Sequence, residues 1–399
     1  MKLRYRYRIY PTKQQEHQMI SVAGATRFVY NHWLKRNIDK YQLDKTFIWH
    51  FGMNKELAKL KSMPGHSWLY ETANQVLQQS LKQLDQSLKN IKHNKGFPRF
   101  KSKYNTSISF TYNQFVKIID NKFVRLPKIG DIKIIIDRPF PEYKGCTITK
   151  TARGWYISFI TEINEPKLTN NINNSIGIDV NSKYVALSNN ELIQNPKPLS
   201  KHQKQIKLLQ QRLSRKKKNS KNRLKMKAKL AKLHDKIVCK RRYHLHDLSS
   251  RIAKEYDLVI IETLKIEEMK RKNHYTAKAI ADSSWGVLFN MLEYKCKLNG
   301  HYLVKINQWL PSSKICSSCG HKNQSIPLDQ RVFTCSECSA VVHRDINAAI
   351  NIHNWGKQQY NLESGQLLPV GPVDVVSDIL SNYNNISQTQ LKQEDTLVN

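Results

Sequence analysis

The hydrophobic period of the chain changes twice, and these changes divide its first half into three regions. Residues 2–10 alternate basic side chains with aromatic or aliphatic ones, a pattern typical of a strand with one buried face. Helical spacing begins at Pro11 and predicts helices through residue 95, the first of them ending near residues 30–33. A period of two then returns over residues 96–165, where six short apolar runs between turn residues predict a small barrel or sandwich.

The strand at residues 2–10 and the six later runs are best explained as one split domain. In that arrangement the first strand completes the barrel, and the helices of residues 11–95 are inserted between it and the other strands. The six predicted strands are 107–112, 115–119, 123–126, 132–136, 146–151 and 155–161.

The second half of the chain has the pattern of an α/β domain that begins after a polar segment at residues 164–174. We expect Ser283 to cap a helix that runs to Asn299 and stops at Gly300. Periodicity is lost after Trp355, so residues 356–399 are expected to form a mobile tail. The predicted strands are 176–180, 184–187, 258–261 and 301–306.

The charge of the chain is strongly one-sided, since 66 Lys and Arg against 31 Asp and Glu give a formal net charge of +35. Such a surplus costs self-repulsion unless a polyanion neutralises it, so nucleic acid is the expected partner. A membrane surface is the alternative, but no apolar run approaches the roughly 20 residues of a spanning helix, and the N-terminus lacks a signal-peptide core. We therefore expect a cytoplasmic protein without a membrane partner.

The positive charge is concentrated in residues 197–242, which contain nineteen Lys or Arg and one acid, Asp235. An apolar line through this segment predicts a helical hairpin with one buried stripe and a cationic outer face. An ordinary solvated face is the alternative, but exposed helices usually mix charges of both signs. Neutralisation of phosphates is the better interpretation, and it implies binding that weakens steeply with salt.

Two Cys-x-x-Cys pairs, Cys316/Cys319 and Cys335/Cys338, enclose a loop of fifteen residues. This spacing matches a tetrahedral thiolate site with each pair on a tight turn. Four Cys ligands leave no open position, so the site predicts one structural zinc ion. An iron–sulfur cluster and four unrelated thiols are the alternatives. The other three Cys are scattered, which suits a reducing compartment.

Three acids stand where a sheet would bring them together: Asp179 in a predicted strand, Glu262 at the end of another, and Asp345 at a helix start. An RNase H-like sheet gathers such carboxylates around two divalent ions about 4 Å apart. Mg²⁺ suits carboxylate and phosphate oxygens. A single acid at a strand end is more often a cap or an ion-pair partner, so the hypothesis rests on all three. His343 is interpreted as a polar neighbour, with a metal role as the alternative.

Several segments between about Tyr5 and Trp355 form an ordered, collinear set. They are RIYPTKQQ, RFVYN, GFPRFKSK at 96–103, RLPKIGDIK, GIDV at 177–180, LSRKKKNSKNR at 213–223, VIIETLK at 259–265, MLEYKCKLNG at 291–300, PSSKICSSCG and HRDINAAINI. In these segments the chain resembles the TnpB (OrfB) proteins encoded by bacterial insertion sequences, compact relatives of type V CRISPR effectors.

The resemblance implies an RNA-guided DNA endonuclease. Such proteins bind a guide RNA from the end of their own transposon, recognise a short motif beside the target and cut both strands with one RuvC-like site. The implied partners are this guide RNA and double-stranded target DNA, with the protein a monomer on its RNA and base pairing selecting most of the sequence. The implied ligands are Asp179, Glu262 and Asp345 for two catalytic Mg²⁺, and Cys316, Cys319, Cys335 and Cys338 for the zinc ribbon.

The implied fold is α+β and bilobed: a wedge β-barrel with an inserted helical recognition domain, then a RuvC/RNase H-like α/β nuclease domain with an inserted zinc ribbon. The expected domains are the first barrel strand (1–10), the recognition helices (11–95), the rest of the barrel (96–165), the RuvC-like domain with its basic hairpin (172–309), the zinc ribbon (310–341), the last RuvC-like helix (342–355) and the tail (356–399). The expected nucleic-acid contacts are Gln75, Gln78 and Thr111 on bases, and Arg215, Lys216, Lys217, Lys218, Lys221 and Arg223 on phosphates.

Two positions depart from the pattern of the family. Asn181 stands where the family often has Gly, two residues after the first acid, and Asn tolerates the left-handed backbone that such a turn would need. His343 stands where the third motif often begins with Asp, but the metal-binding acid of that motif is Asp345. Activity is therefore expected to persist.

Two other functions stay open. A transposase that joins DNA strands is the older label for the family, although transposases on the same core usually present Asp, Asp and Glu in that order. This chain presents Asp, Glu and Asp. A nuclease-dead guided repressor would need a lost acid, and none of the three is missing.

Overall fold

The computed structural model describes residues 1–93, 96–102, 108–272, 274–323 and 330–364. The chain divides into two compact units, residues 1–164 and the residues from 165 onward, and each has its own sheet and hydrophobic core. The division falls at the start of the polar segment of residues 164–174. None of the helices in the described ranges is long and apolar enough to cross a membrane.

The sheet of the first unit has seven strands in the order β2-β6-β7-β1-β5-β4-β3, and every adjacent pair is antiparallel. All six later strands predicted from the sequence are present, and the first strand lies between β7 and β5, as expected. The strands are β1 (Lys2–Tyr10), β2 (Ile108–Tyr112), β3 (Lys117–Ile119), β4 (Phe123–Leu126), β5 (Gly130–Ile135), β6 (Tyr143–Thr151) and β7 (Gly154–Glu162).

Side chains bring the two edges of this sheet towards each other. The Tyr112 hydroxyl on edge strand β2 donates to the Pro127 carbonyl just after β4 (3.2 Å). The Tyr143 hydroxyl on β6 donates to the Val116 carbonyl just before edge strand β3 (3.1 Å). The sheet is therefore curled. The strand pairings of the described residues do not join β2 to β3, so a closed barrel stays a prediction.

Helices fill the segment between β1 and β2, as the helical period predicts, and pack around a second core that includes Trp33, Leu34 and Met53. The first helix begins with a capping box, in which the Thr12 hydroxyl accepts from the Gln15 amide (3.2 Å) and the Gln15 side chain accepts from the Thr12 amide (3.0 Å). The helices are α1 (Lys13–Asp44), α2 (His50–Ser62) and α3 (Asn74–Lys89), with 3₁₀ turns at Ser67–Glu71 and Asn90–His93.

The expectation that α1 ends near residues 30–33 is wrong. Trp33, Leu34 and Asn37 continue the buried face by another turn, and packing against α2 favours helix beyond the first apolar stripe. The helix ends only where Lys45 takes a left-handed backbone conformation (φ 58°).

The second unit is built on a mixed sheet in the order β10-β9-β8-β11-β12. β8 pairs antiparallel with β9 and parallel with β11, and β11 pairs parallel with β12. The strands are β8 (Ser175–Val180), β9 (Tyr184–Leu187), β10 (Leu192–Gln194), β11 (Leu258–Glu262) and β12 (Tyr302–Ile306), with a separate hairpin of β13 (Val332–Thr334) and β14 (Val341–His343). The helices are α4 (Pro198–Ser214), α5 (Lys221–Glu255), α6 (Ile266–Lys272), α7 (His274–Ser283), α8 (Trp285–Asn299) and α9 (Arg344–Ser364).

Helices cover both faces of this sheet. Because side chains alternate along a strand, Val259 and Ile261 of β11 share a core with α5 and α8. Leu258 and Ile260 of the same strand face the other way and share a core with Trp355 of α9. The sheet is therefore buried between two helical layers, and any polar side chain on the α9 side is partly removed from water.

The junction of α7 and α8 differs from the sequence prediction. Ser283 is the last residue of α7, and its hydroxyl donates to the Ala279 carbonyl (3.0 Å), so it does not cap α8. Ser284 occupies the junction with a left-handed backbone (φ 56°). Gly300 ends α8 at φ 72°, as expected.

The start of the predicted mobile tail is also wrong. Residues 356–364 continue α9, because Gly356 and Tyr360 still pack on the sheet. The Tyr302 and Tyr360 rings, for example, lie 5.1 Å apart between centroids. The rest of the predicted tail, residues 365–399, lies outside the described residues.

Gly356 marks the closest approach of α9 to the sheet, and an Ala at this position should destabilise the second unit. An added Cβ would lie 2.2 Å from Cγ2 of Ile260. We expect Gly356→Ala to lower the free energy of unfolding by about 2 kcal/mol, since overpacking a core costs about 1–3 kcal/mol. Gly286→Ala on α8 is the matched control, because its Cβ would meet only the end of the Ile266 side chain at 3.3 Å. Urea unfolding followed by circular dichroism measures both, and equal effects would contradict the close approach.

Candidate functional site

Asp179 and Glu262 lie side by side on the α9 face of the second sheet. β8 and β11 are parallel, and Ile178 lies opposite Ile261. The next residues of the two strands are Asp179 and Glu262, so the register places them beside each other. Alternation puts Asp179 on the same face as Gly177, whose Cβ position lies against α9 (2.3 Å from the Ala349 carbonyl oxygen). The parallel pairing therefore brings together two acids that are 83 positions apart in the chain.

Asp345 joins them from the first turn of α9, which packs across β8 and β11. Its side chain is buried, whereas Asp179 and Glu262 are half-buried. The structure thus brings all three sequence-predicted acids to one face of the sheet, each on the type of element that the sequence predicts.

The three acids interact electrostatically. Burial, together with the negative charges of Glu262 and Asp345, raises the pKa of Asp179 well above its ordinary range, and the nearby Arg344 only partly opposes the shift. Burial also raises the pKa of Glu262, against a hydrogen bond from Ser312. Carboxylate oxygens are the ligands that hard divalent cations prefer, and binding of Mg²⁺ by these three acids stays a prediction.

Asn181 directly follows β8, the strand that carries Asp179, and its side chain contacts Asp345. Its Nδ2 donates to Oδ2 of Asp345 (2.6 Å), and its Oδ1 accepts from the amides of Lys183 (2.7 Å) and Tyr184 (2.8 Å). Trp285 Nε1 donates to the Asn181 carbonyl (3.3 Å). Sequence reasoning considered only whether Asn181 could replace a Gly. The backbone at Asn181 is not left-handed, so the residue contributes through its amide side chain.

Basic side chains lie at the edge of the acidic group. The ring Nδ1 of His343 accepts from the Asp345 amide (3.3 Å) and lies 3.9 Å from its Oδ2. Arg331 Nη1 lies 3.9 Å from Oδ1 of the same acid. These contacts support the interpretation of His343 as a polar neighbour that orients the start of α9.

Glu262 has a partner that sequence reasoning missed. The Ser312 hydroxyl donates to Oε1 of Glu262 (2.7 Å). Ser312 lies four residues before Cys316, and the Asn351 side chain of α9 donates to its carbonyl (2.8 Å). The only signal in the sequence is a polar residue a few positions before the first Cys pair.

The four predicted zinc ligands form a compact group. The Sγ atoms of Cys316, Cys319, Cys335 and Cys338 all lie within 4.8 Å of one another. The Cys316–Cys338 distance is 3.7 Å and the Cys319–Cys335 distance is 3.6 Å. Zn–S bonds of about 2.3 Å in a tetrahedron require Sγ–Sγ distances of about 3.8 Å, so the thiols fit a zinc ion.

Each Cys pair lies on a similar turn. The Gly320 amide donates to the Cys316 carbonyl (2.9 Å), and the Ser339 amide donates to the Cys335 carbonyl (3.2 Å). Gly320 (φ 78°) and Ser339 (φ 58°) both have left-handed backbones. The repeated geometry is that of two knuckles that could together hold one metal ion. We call residues 312–323 and 330–343 the Cys-rich segment.

Comparison with known sequences gives three matches to family profiles. The profile of IS605 OrfB proteins, described as "Probable transposase", matches residues 158–273. A "Cas12f1-like, TNB domain" profile matches residues 285–352, which contain α8, the Cys quartet and the start of α9. A "Helix-turn-helix domain" profile matches residues 1–46, although here these residues form β1 and the single helix α1.

Whole-length relatives carry the name "Putative RNA-guided DNA endonuclease". One from Streptomyces pristinaespiralis is 34% identical over 362 residues, covering 88% of this chain and 89% of the relative. The chain belongs to the TnpB (OrfB) family. A second relative, InsQ of Escherichia coli K12, is 30% identical over 87% of this chain and 90% of its own length.

More distant proteins match the TnpB chain in part. The CRISPR-associated endodeoxyribonuclease Cas12f1 of an uncultured archaeon is 30% identical over 104 residues, 24% of this chain and 19% of that protein. A solved structure, "Cryo-EM structure of the Cas12f1-sgRNA-target DNA complex", aligns with a TM-score of 0.34 at 17% identity. That alignment covers 89% of this chain and 99% of the solved one. A score this low establishes nothing about the fold.

The basic hairpin of this TnpB protein consists of α4 and α5, as predicted. Its base is fixed by buried Asp282, which accepts from the Leu199 amide (3.1 Å), the Ser200 amide (3.1 Å) and Arg241 (2.9 Å). At its tip, Arg215, Lys216, Lys217, Lys218 and Lys221 are exposed. Arg223 is half-buried, and its Nη1 donates to the carbonyls of Leu213 (2.7 Å) and Lys216 (3.0 Å). It therefore shapes the turn that presents the lysines.

Of the three residues expected to contact bases, Gln75 and Gln78 lie on α3 and Thr111 lies on β2, a strand that α3 contacts. Gln78 is exposed. Gln75 is engaged within the protein, accepting from the Gln114 amide (2.8 Å) and donating to its carbonyl (2.9 Å). Thr111 is buried, with its hydroxyl 3.1 Å from that of Thr147. Their role in binding bases stays a prediction.

Zinc content tests the Cys quartet directly. We expect one zinc ion per chain in the unaltered protein and none in Cys316→Ser/Cys335→Ser, because removal of two of four thiolates leaves too few ligands for a tetrahedral site. Elemental analysis of purified protein measures the content. Cys239→Ser, at an exposed Cys of α5, is the control and should keep its zinc. One equivalent of zinc retained by the double variant would refute the assignment.

The raised pKa of Asp179 predicts a stability cost that depends on pH. A carboxyl group whose pKa is higher in the folded state stabilises the protein at low pH, and this contribution is lost as pH rises through the folded pKa. With zinc bound but without added Mg²⁺ or Mn²⁺, Asp179→Asn should therefore melt about 3 °C or more above the unaltered protein at pH 8, with a smaller difference at pH 5. Glu267→Gln, at an exposed acid of α6, should change little. Thermal unfolding at both pH values measures this, and a lower melting temperature for Asp179→Asn at pH 8 would contradict the shift.

Proposed function

We propose that this protein is an RNA-guided DNA endonuclease encoded by an insertion sequence, which cuts target DNA beside a short flanking motif. The observation that carries the proposal is the meeting of Asp179, Glu262 and Asp345 on one face of the second sheet. Relatives that match nearly the whole chain carry the corresponding name.

The reaction is hydrolysis of DNA phosphodiester bonds in a RuvC-like site. Asp179 is in electrostatic contact with both Glu262 and Asp345, and the three carboxylates would together hold the Mg²⁺ ions. Bound there, the ions would supply the activation of water and the stabilisation of the leaving oxygen. Asn181 and Ser312 orient the carboxylates, and the flanking helices exclude bulk water from one side.

The Cys quartet has a structural role in this proposal. Its four thiolates would bind one zinc ion and leave no coordination position open for a substrate. The Cys quartet would thus form a zinc ribbon inserted before the last RuvC-like helix. The β13–β14 hairpin leads directly into α9, and the Arg344 amide donates to the Arg331 carbonyl (2.8 Å). A rigid ribbon would therefore fix where Asp345 begins its helix.

Guide RNA from the transposon end and double-stranded target DNA are the proposed partners. The exposed lysines of the basic hairpin supply phosphate contacts whose affinity falls with salt. The first unit would act as wedge barrel and recognition helices of a bilobed protein and read the flanking motif, while base pairing reads the rest. The protein would act as a monomer on its RNA, in the cytoplasm and at the nucleoid.

A strand-joining transposase is the enzymatic alternative, since the matching profile is described as "Probable transposase". A strand-joining transposase incubated with transposon ends would give joined DNA products. An endonuclease would give only cleaved products. The order of acids, Asp, Glu and Asp, favours cleavage. A nuclease-dead repressor would lack an acid, and all three are present here.

Replacing Asp179 tests the proposal. We expect Asp179→Ala with its bound RNA to cut a matching plasmid more than about a hundredfold more slowly, because loss of even an outer partner of a metal ligand typically costs 10–100-fold. Glu293→Ala, at a half-exposed acid of α8, should cut normally. Sequencing of the RNA that co-purifies with both proteins should identify transposon-end transcripts. Unchanged guide-dependent cutting by Asp179→Ala would refute the assignment of the site.

A further inference from the structure

One side chain joins the Cys-rich segment to the group of three acids. Ser312 is buried, and its hydroxyl donates to Oε1 of Glu262 at 2.7 Å. A carboxylate has about four lone-pair sites, so this hydrogen bond occupies one and leaves the others for a cation. The donation also fixes the rotation of the carboxylate about its side-chain axis.

Ser312 is itself held in place by α9, the helix that carries Asp345. Asn351 Nδ2 donates to the carbonyls of Ser312 (2.8 Å) and Ile315 (2.7 Å), and Asn347 Nδ2 donates to the Ile315 carbonyl (2.7 Å). The side-chain Oδ1 of Asn347 accepts from the Ser317 amide (2.9 Å). Both Asn side chains are buried. The loop around the first Cys pair is thus hydrogen-bonded to α9 on both sides of Cys316.

We propose that Ser312 is a positioning residue through which the zinc site sets the divalent-ion affinity of the carboxylate site. Zinc on Cys316 fixes the loop, the loop places Ser312, and Ser312 orients Glu262. The inference rests on the proposed function, because it requires the three acids to bind metal. It goes further in assigning the Cys quartet a quantitative effect on that binding.

A purely structural role for Ser312 would have a different signature. If its hydroxyl only closed a buried loop, its loss would change stability and leave the affinity of the acids for metal unaltered. If it positions Glu262, its loss weakens metal binding in a protein that is folded and zinc-loaded. Outer partners of metal ligands typically contribute 10–100-fold to metal affinity.

Mn²⁺ binding to the full-length protein, followed by electron paramagnetic resonance of the free ion, separates the two roles. We expect Ser312→Ala to bind Mn²⁺ about tenfold more weakly at unchanged zinc content. Ser312→Thr keeps the hydroxyl and should restore most of the affinity. Ser313→Ala is the matched control, because it removes the neighbouring half-buried hydroxyl, and it should bind Mn²⁺ normally.

The zinc-free variant Cys316→Ser/Cys335→Ser and Ser312→Ala, made separately and together, form a double-mutant cycle. The zinc-free variant should also bind Mn²⁺ more weakly, and adding Ser312→Ala should weaken binding by less than the product of the separate effects, because both changes act through the same contact. Multiplicative effects would show that zinc does not act through Ser312 and would overturn the proposed coupling.

Asp179→Ala keeps this test distinct from that of the proposed function. If Asp179→Ala loses Mn²⁺ binding while Ser312→Ala keeps it in full, the positioning role is wrong and the nuclease site stands. If Asp179→Ala binds Mn²⁺ as the unaltered protein does, the acids are not the metal site, and both proposals fail.

Discussion

The burial of Asp179 beside the negative charges of Glu262 and Asp345 is the constraint around which the second unit is arranged. Charges of the same sign, removed from water, raise the free energy of the folded chain unless a cation compensates them. The pKa of Asp179 is raised for this reason. Such a group persists only where the surrounding packing is stable enough to hold it in place. The two helical layers around the sheet provide that packing.

Helix α9 connects most of the parts that bear on this group. It carries Asp345 in its first turn, presses Gly356 against Ile260, and binds the loop of the first Cys pair through Asn347 and Asn351. Movement of this helix would therefore displace an acid, a core contact and the loop of the first Cys pair together. The positions of these three parts are therefore linked through one helix.

Charge is distributed with opposite sign inside and outside the second unit. The acids lie against the sheet, whereas the lysines at the tip of the α4–α5 hairpin are exposed. Under the proposed function, long-range attraction would draw a polyanion to the protein, and divalent ions would reduce the repulsion between the inner acids and an approaching phosphate group. The same arrangement explains how a chain with a net charge of +35 contains a negatively charged centre.

Period and ligand spacing are local properties of the chain, so the sequence alone predicts every strand of the described residues except β10, β13 and β14, most of the helices and the Cys quartet, and it singles out the three acids. The lengths of α1 and α9 follow from packing, since the contacts of Trp33 and Tyr360 override the end of a local pattern. Only the tertiary structure revealed the contacts of Asn181 with Asp345 and of Ser312 with Glu262. Each of these pairs is more than 45 positions apart, and hydrogen bonds over such separations leave no periodic trace in the sequence.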